Sequence, residues 1–366
     1  MVMYLKSSFS INSYDGCNIG CKYCILSTLE DRNKLTKIAD EKELVKELKE
    51  YKFYTPHIPI TINNITDAFL NQKVFDSTLE ILKEIKASNL KNPCVLISKG
   101  YLNQEQVDKL DDLNMNIVCL YTLSGLSEKL ENRIEKRQIE TIELLSKKKN
   151  IKLMHYYRPI IEGVNSDKET IKHIAKIAVK YFKGSIIAGI RINSHLKNVF
   201  KELNIDIPFK FDTEHKVILN DTYNRVLDTF KEIDPNYPCF KKTSCGVGYI
   251  NQMADYNGHS GRIDYCSPQC PSYNICFAGG SIGFCNESCP NFARCKESSL
   301  AHISNNDVER LLNIIGKDRV FEIKERVIHI EGDFTQEEIT FLRHNLKRNV
   351  KVDKTIRCNN EDKLSR

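Results

Sequence analysis

Between residues 9 and 193 the sequence passes through six short β-type runs separated by stretches of helical periodicity. The β-type runs are FSINSY, HIPITINNI, CVLISKG, NIVCLYTL, IKLMHYYRPII and GSIIAGIRI. Between them, segments such as DSTLEILKEIKAS and DKETIKHIAKIAVKYF repeat apolar residues at helical spacing. Such alternation demands a parallel sheet with right-handed crossovers, because parallel neighbours need a connection of a dozen or more residues. Six units can form a doubly wound sheet or a partial (β/α)6 TIM-like barrel, and periodicity alone does not separate the two. In either architecture chemistry gathers at the carboxyl ends of the strands.

Directly after the first run stands DGCNIGCKYCIL, with Cys17, Cys21 and Cys24. Three thiols are an awkward set. A structural zinc site takes four ligands, and disulfides need even counts. Three thiolates suit an iron–sulfur cluster with one iron left open, while a zinc knuckle with a distant fourth ligand is the plainer alternative. Of the fourteen cysteines, Cys94 and Cys119 lie in apolar runs and read as small buried hydrophobes.

Eight more cysteines fall between Cys239 and Cys295. CSPQCPSYNIC and CNESCPNFARC repeat one unit: Cys266, Cys270 and Cys276 recur at Cys285, Cys289 and Cys295, each 19 residues on. With Cys239 and Cys245 this is the ligand count of two fully ligated [4Fe–4S] clusters. One closed and one open cluster, or two zinc sites, remain alternatives. The unit departs from the C-x2-C spacing of zinc ribbons, and its Cys-Pro pair resembles ferredoxin loops. Clustered cysteine in a reducing compartment points to metal rather than to disulfides.

An apolar fraction of 41% supports a sizeable core, and a net charge of +6 permits a phosphate-bearing partner without demanding one. MVMYLKSSFSINSY lacks the apolar stretch of a secretory signal, and no apolar run approaches the ~20 residues of a membrane helix. A cytoplasmic location is the expectation. Three segments are expected: a β/α barrel over 1–200, a linker helix and cysteine-rich iron–sulfur domain over 201–300, and a small α/β appendage over 301–366. Within the appendage, Thr335 and Glu338 have the spacing of a capping box.

The C-x3-C-x2-C motif, with Tyr23 before the third cysteine, on a loop after the first strand of a six-unit β/α region, resembles the radical S-adenosylmethionine (SAM) superfamily. The resemblance covers roughly residues 9–193. It implies a [4Fe–4S] cluster on Cys17, Cys21 and Cys24 whose open iron takes SAM, reductive cleavage of SAM to a 5′-deoxyadenosyl radical, and hydrogen abstraction from a substrate. It also implies a reductant protein such as a flavodoxin or ferredoxin. A Gly-Gly-Glu-type turn is common after the second strand; here NNITDAF stands instead, closer to the spore photolyase-like branch, with Asn63 and Asp67 as candidate contacts. Thr122 and Ser124 offer hydroxyls near a ribose. Arg158, in RPIIEGVN, offers a fork for the methionine carboxylate. The later cysteines resemble auxiliary-cluster domains of peptide-modifying enzymes, so the implied substrate is a nucleic acid, nucleotide or peptide. A non-catalytic iron–sulfur electron carrier or redox sensor, and a barrel enzyme with a structural zinc domain, are the rivals.

Overall fold

The structure is a computed structural model, and it describes residues 2–5, 8–24, 26, 34–191, 194–206, 218–253, 255–257, 303–318, 320–324, 327–346 and 348–353. The repeat from Cys266 to Cys295 lies outside the described residues. So does Cys358.

The chain begins with β1 (Val2–Leu5), β2 (Ser8–Ile11), β3 (Tyr14–Asp15), β4 (Thr36–Lys37) and α1 (Glu41–Glu50). The strand–helix alternation then runs β5 (Ile60–Ile62), α2 (Gln72–Ala87), β6 (Cys94–Ser98), α3 (Gln104–Asp111) and β7 (Ile117–Tyr121). It continues through α4 (Glu128–Glu131), α5 (Glu135–Ser146), β8 (Ile151–Ile160), α6 (Lys168–Tyr181) and β9 (Ser185–Gly189). Next come α7 (Ser194–Glu202), α8 (Asn220–Ile233), β10 (Cys239–Phe240) and α9 (Thr243–Ile250). The last described elements are α10 (Asn305–Ile315), β11 (Phe321–Lys324), β12 (Val327–Ile330), α11 (Gln336–Leu346) and β13 (Asn349–Val352).

The main sheet has eight strands in the order β1-β2-β5-β6-β7-β8-β9-β10. From β2 to β10 every pairing is parallel. Its six central strands are the six β-type runs of the sequence, taken in chain order, as a partial TIM-like barrel requires. Burial explains the run composition. Every residue of β5, β7 and β9 is buried, as expected of strands covered on both faces.

Helix starts are local and legible. Asp40, Asn71, Asn103 and Asp167 cap α1, α2, α3 and α6 with side-chain oxygens on early backbone N–H groups. Cys94 and Cys119 are fully buried in β6 and β7.

By internal contacts the chain forms two compact units, Met1–Met3 with Phe9–Lys242, and Tyr4–Ser8 with Thr243–Arg366. In the first, α8 buries Tyr223, Val226, Leu227 and Phe230. Phe230 lies against His155 and Tyr157 of β8. The apolar face of this helix thus finds its cover on the barrel. In the second, β12 pairs antiparallel with β11 and parallel with β13. The Thr335–Glu338 capping box forms: Glu338 N donates to Thr335 Oγ1 at 3.2 Å, and Thr335 N to a Glu338 carboxylate oxygen at 2.8 Å. Buried His344 meets the Tyr4 hydroxyl at 2.8 Å in the same unit.

Candidate functional site

The three N-terminal cysteines lie on an excursion whose ends, β3 and β4, pair as an antiparallel ribbon. Two glycines shape it. Gly16 and Gly20 have φ of 87° and 76°, values that a Cβ disfavours. Cys24 N donates to Cys21 O at 3.1 Å, closing the turn between the second and third thiols.

The far side of the loop rests on α4 and the residue that ends it. Lys22 N donates to Leu130 O at 2.8 Å. The Cys21 thiol points at Glu131 O, 3.4 Å away. Asn132, left-handed at φ 51°, donates from Nδ2 to Ile19 O at 2.8 Å. A four-residue helix after β7 therefore holds the cysteine loop that follows β2.

Beneath this contact sits a buried polar cluster. The Glu131 side chain is 2% exposed. Its Oε1 accepts from the Tyr23 hydroxyl at 2.7 Å and from Lys99 Nζ, and its Oε2 accepts from Ser124 Oγ. Lys99 also contacts the Tyr23 hydroxyl, and its ammonium lies 4.7 Å from the Tyr23 ring centroid. Burial opposes the charged form of Lys99, but the Glu131 charge, followed by those of Cys21 and Asp67, carries its pKa above the ordinary lysine value. Burial, then Glu131, pushes Tyr23 well up, so it stays a hydroxyl donor.

Each candidate from the sequence has a definite place. Asn63 is fully buried at φ 50°. Its Oδ1 accepts from Ser13 N and Ser13 Oγ, and its Nδ2 donates to Thr78 Oγ1. Asp67 accepts from Phe69 N, Ser98 Oγ and Lys99 N, tying the end of β5 to the end of β6. Thr122 N donates to Ser98 O, and Thr122 O accepts from Gln138 Nε2. Ser124 is spent on Glu131 through its hydroxyl and on Asn165 through its carbonyl. Arg158, half-buried at the end of β8, donates to the Tyr156 hydroxyl at 2.7 Å. The loop and its supports bring together Cys17, Cys21, Cys24, Tyr23 and Ser124, with Asp67 close enough to act on Cys17 and Lys99 by its charge. Lys99 and Glu131 were missed in the sequence. For Lys99 a signal existed, a lysine directly after the apolar run CVLIS and hence at a strand's carboxyl end.

Cys239 lies in edge strand β10, opposite Ser185 of β9, with its thiol pKa raised by burial. Cys245 is buried in α9.

Residues 11–190 match the family model of the Radical SAM superfamily. The barrel region belongs to that superfamily. A curated relative, the uncharacterized protein 050L of Invertebrate iridescent virus 6, is 23% identical over 184 residues, 49% of this chain and 17% of its own length. The match thus spans about one-sixth of that protein. Among solved structures, a spore photoproduct lyase complexed with dinucleoside spore photoproduct is similar at 14% identity, covering 65% of this chain and 77% of its own, with a TM-score of 0.49. Streptococcus suis SuiB bound to S-adenosylmethionine is similar at 15% identity, covering 69% and 54%, with a TM-score of 0.46.

The radical SAM superfamily implies a [4Fe–4S] cluster and SAM, and the loop can be tested against the cluster. Cys17, Cys21 and Cys24 are free thiols. Their sulfurs are near enough to act on one another: burial and then Asp67 raise Cys17 to about 12, with Cys21 and Cys24 adding to the shift. Among the described residues no three His, Cys, Asp or Glu side chains converge as ligands of one ion would. A cluster makes no such demand, since each cysteine binds a different iron. The soft donors, their mutual proximity and the glycine-shaped turn fit the cluster. Thiolates are the ligand form, so assembly must displace protons.

Proposed function

We propose that the protein is a radical SAM enzyme acting on a nucleic acid, nucleotide or peptide. The observation that carries this reading is the three-cysteine loop, seated on α4 and its C-cap within a β/α region matched to the superfamily. When bound, the [4Fe–4S] cluster and SAM supply a one-electron cleavage that yields a 5′-deoxyadenosyl radical for hydrogen abstraction.

The chain's own residues orient and exclude water. Cys17, Cys21 and Cys24 would hold three irons, and the α4 contacts fix the spacing of the loop. Arg158 is a cation near the end of β8, and its fork suits a carboxylate. Thr122, directly after β7, carries a hydroxyl of the kind that pairs with a ribose, while the Ser124 hydroxyl is held by Glu131. Asn63 and Asp67 hold the β5 turn in place, and their part in binding SAM is through that turn. Burial around Tyr23, Glu131 and Lys99 keeps water from one side of the loop.

The net charge of +6 favours a nucleic acid or nucleotide over a neutral substrate. Cys239, Cys245, Cys266, Cys270, Cys276, Cys285, Cys289 and Cys295 are proposed as ligands of two auxiliary [4Fe–4S] clusters, with a flavodoxin or ferredoxin as reductant in a reducing cytoplasm. Among the described residues no helix is long and apolar enough to cross a membrane.

The test is anaerobic reconstitution with iron and sulfide, followed by reduction in the presence of SAM. Release of 5′-deoxyadenosine is expected. Abundant iron without SAM binding or cleavage, with oligonucleotide and peptide substrates supplied, would leave an electron carrier or redox sensor.

A further inference from the structure

The radical SAM reading gives the cysteine loop its ligands but leaves two buried charges beside it without a task. Lys99 and Glu131 come from different crossovers, and both converge on the loop. The Lys99 side chain is 14% exposed and the Glu131 side chain 2%. Both meet the Tyr23 hydroxyl, next to Cys24, while the Glu131 carbonyl faces the Cys21 thiol. Among the described residues, four charges act on Cys21 or Cys17. Lys99 and Arg133 are the cations and Glu131 and Asp67 the anions. Arg133 is half-buried and lies over the Tyr101 ring. Asp67 is committed to the β5–β6 turn. Only Lys99 and Glu131 face each other directly, in contact and out of water.

We propose that the Lys99–Glu131 pair tunes the reduction potential of the cluster held by Cys17, Cys21 and Cys24, each charge offsetting the other. The proposal rests on the cluster assignment above. Adding an electron to a cluster adds negative charge, so a nearby cation favours reduction and a nearby anion opposes it. In a buried setting such charges are weakly screened. Loss of Lys99 leaves Glu131 unbalanced and lowers the potential. Loss of Glu131 leaves Lys99 unbalanced and raises it. A merely structural pair would give no such opposition of sign. Both residues are therefore positioning groups for charge, acting on the cluster through space and through Tyr23.

The test is a redox titration of the reconstituted full-length protein without SAM or substrate, followed by the electron paramagnetic resonance signal of the reduced cluster at the N-terminal site. Cys239→Ala, Cys266→Ala and Cys285→Ala, alone and combined, identify and subtract signals of other clusters. Lys99→Met is expected to make reduction at least about tenfold less favourable, about 59 mV downward for one electron. Glu131→Gln shifts it upward by a similar amount, and the double variant returns near wild type. Shifts of one sign, or none in variants that retain iron, overturn the proposal. If both neutral variants lose iron while Lys99→Arg and Glu131→Asp keep it, the pair anchors the loop and the tuning idea fails. A wild-type chain that binds no cluster at Cys17, Cys21 and Cys24 refutes the cluster assignment instead, and does so before any variant is compared. Failure to cleave SAM touches only the enzymatic reading.

Discussion

His155 shows what a single residue contributes to this fold. It lies fully buried on β8, with Nε2 donating to Leu123 O and Nδ1 meeting Ser185 Oγ, both at 2.9 Å. Tyr157 and Phe182 pack beside the ring. Burial lowers its pKa from 6.5 to about 4, the Leu123 hydrogen bond opposing the shift. The folded state therefore holds His155 neutral where the unfolded chain would protonate it. Its contribution is complete above the unfolded value and is lost as pH falls from about 6.5 towards about 4, roughly 3 kcal/mol in all. Urea midpoints across that window should fall more steeply for wild type than for His155→Gln, which is less stable throughout but lacks the titration. Parallel slopes would count against it. Gly100 offers a second residue-scale test. A Cβ there would stand 2.4 Å from Phe69 O, so Gly100→Ala must displace the turn that Asp67 ties together. A loss of about 1–3 kcal/mol in denaturant unfolding is expected.

Among the elements, α4 matters beyond its four residues, because Leu130, Glu131 and Asn132 all reach the cysteine loop. Asn132→Gly keeps the left-handed backbone and gives up the bond to Ile19 O. Asn132→Ala gives up both, at a further cost of about 1 kcal/mol. In the metal-free protein, alkylation of buried Cys21 should run about fivefold faster in the alanine variant than in the glycine variant; equal rates would mean that the left-handed backbone at position 132 does not hold the loop. The elements also show what a sequence reveals. The six central strands were legible because each is an apolar run bounded by turn residues. The capping box at Thr335 was legible because its partners lie three residues apart. Strand β10 was not, since two residues, Cys239 and Phe240, carry no periodicity. Nor was the Lys99–Glu131 pair, whose members stand 32 residues apart and meet only when β6 and β7 lie side by side. Asn63 and Asp67 were visible as polar residues at a strand end, but their hydrogen bonds to Ser13, Thr78, Ser98 and Lys99 required the packed turn.

For the whole molecule the decisive quantity is how iron divides between the barrel and the later cysteines. The sequence places three thiols at the barrel and eight between Cys239 and Cys295. If all serve four-iron clusters, the reconstituted chain holds about twelve irons. Replacing Cys17, Cys21 and Cys24 together by alanine should remove about four of them and abolish 5′-deoxyadenosine release, leaving about eight on the auxiliary ligands. Replacing Cys266, Cys270 and Cys276 should spare the four at the barrel, whose proposed ligands are Cys17, Cys21 and Cys24. A wild-type count of about four irons, with zinc retained through chelation and lost with Cys266, would make the later cysteines structural. The barrel chemistry would survive that result. An iron count unchanged by the loss of Cys17, Cys21 and Cys24 would not leave it standing, since the proposed reaction begins at the cluster those thiols hold.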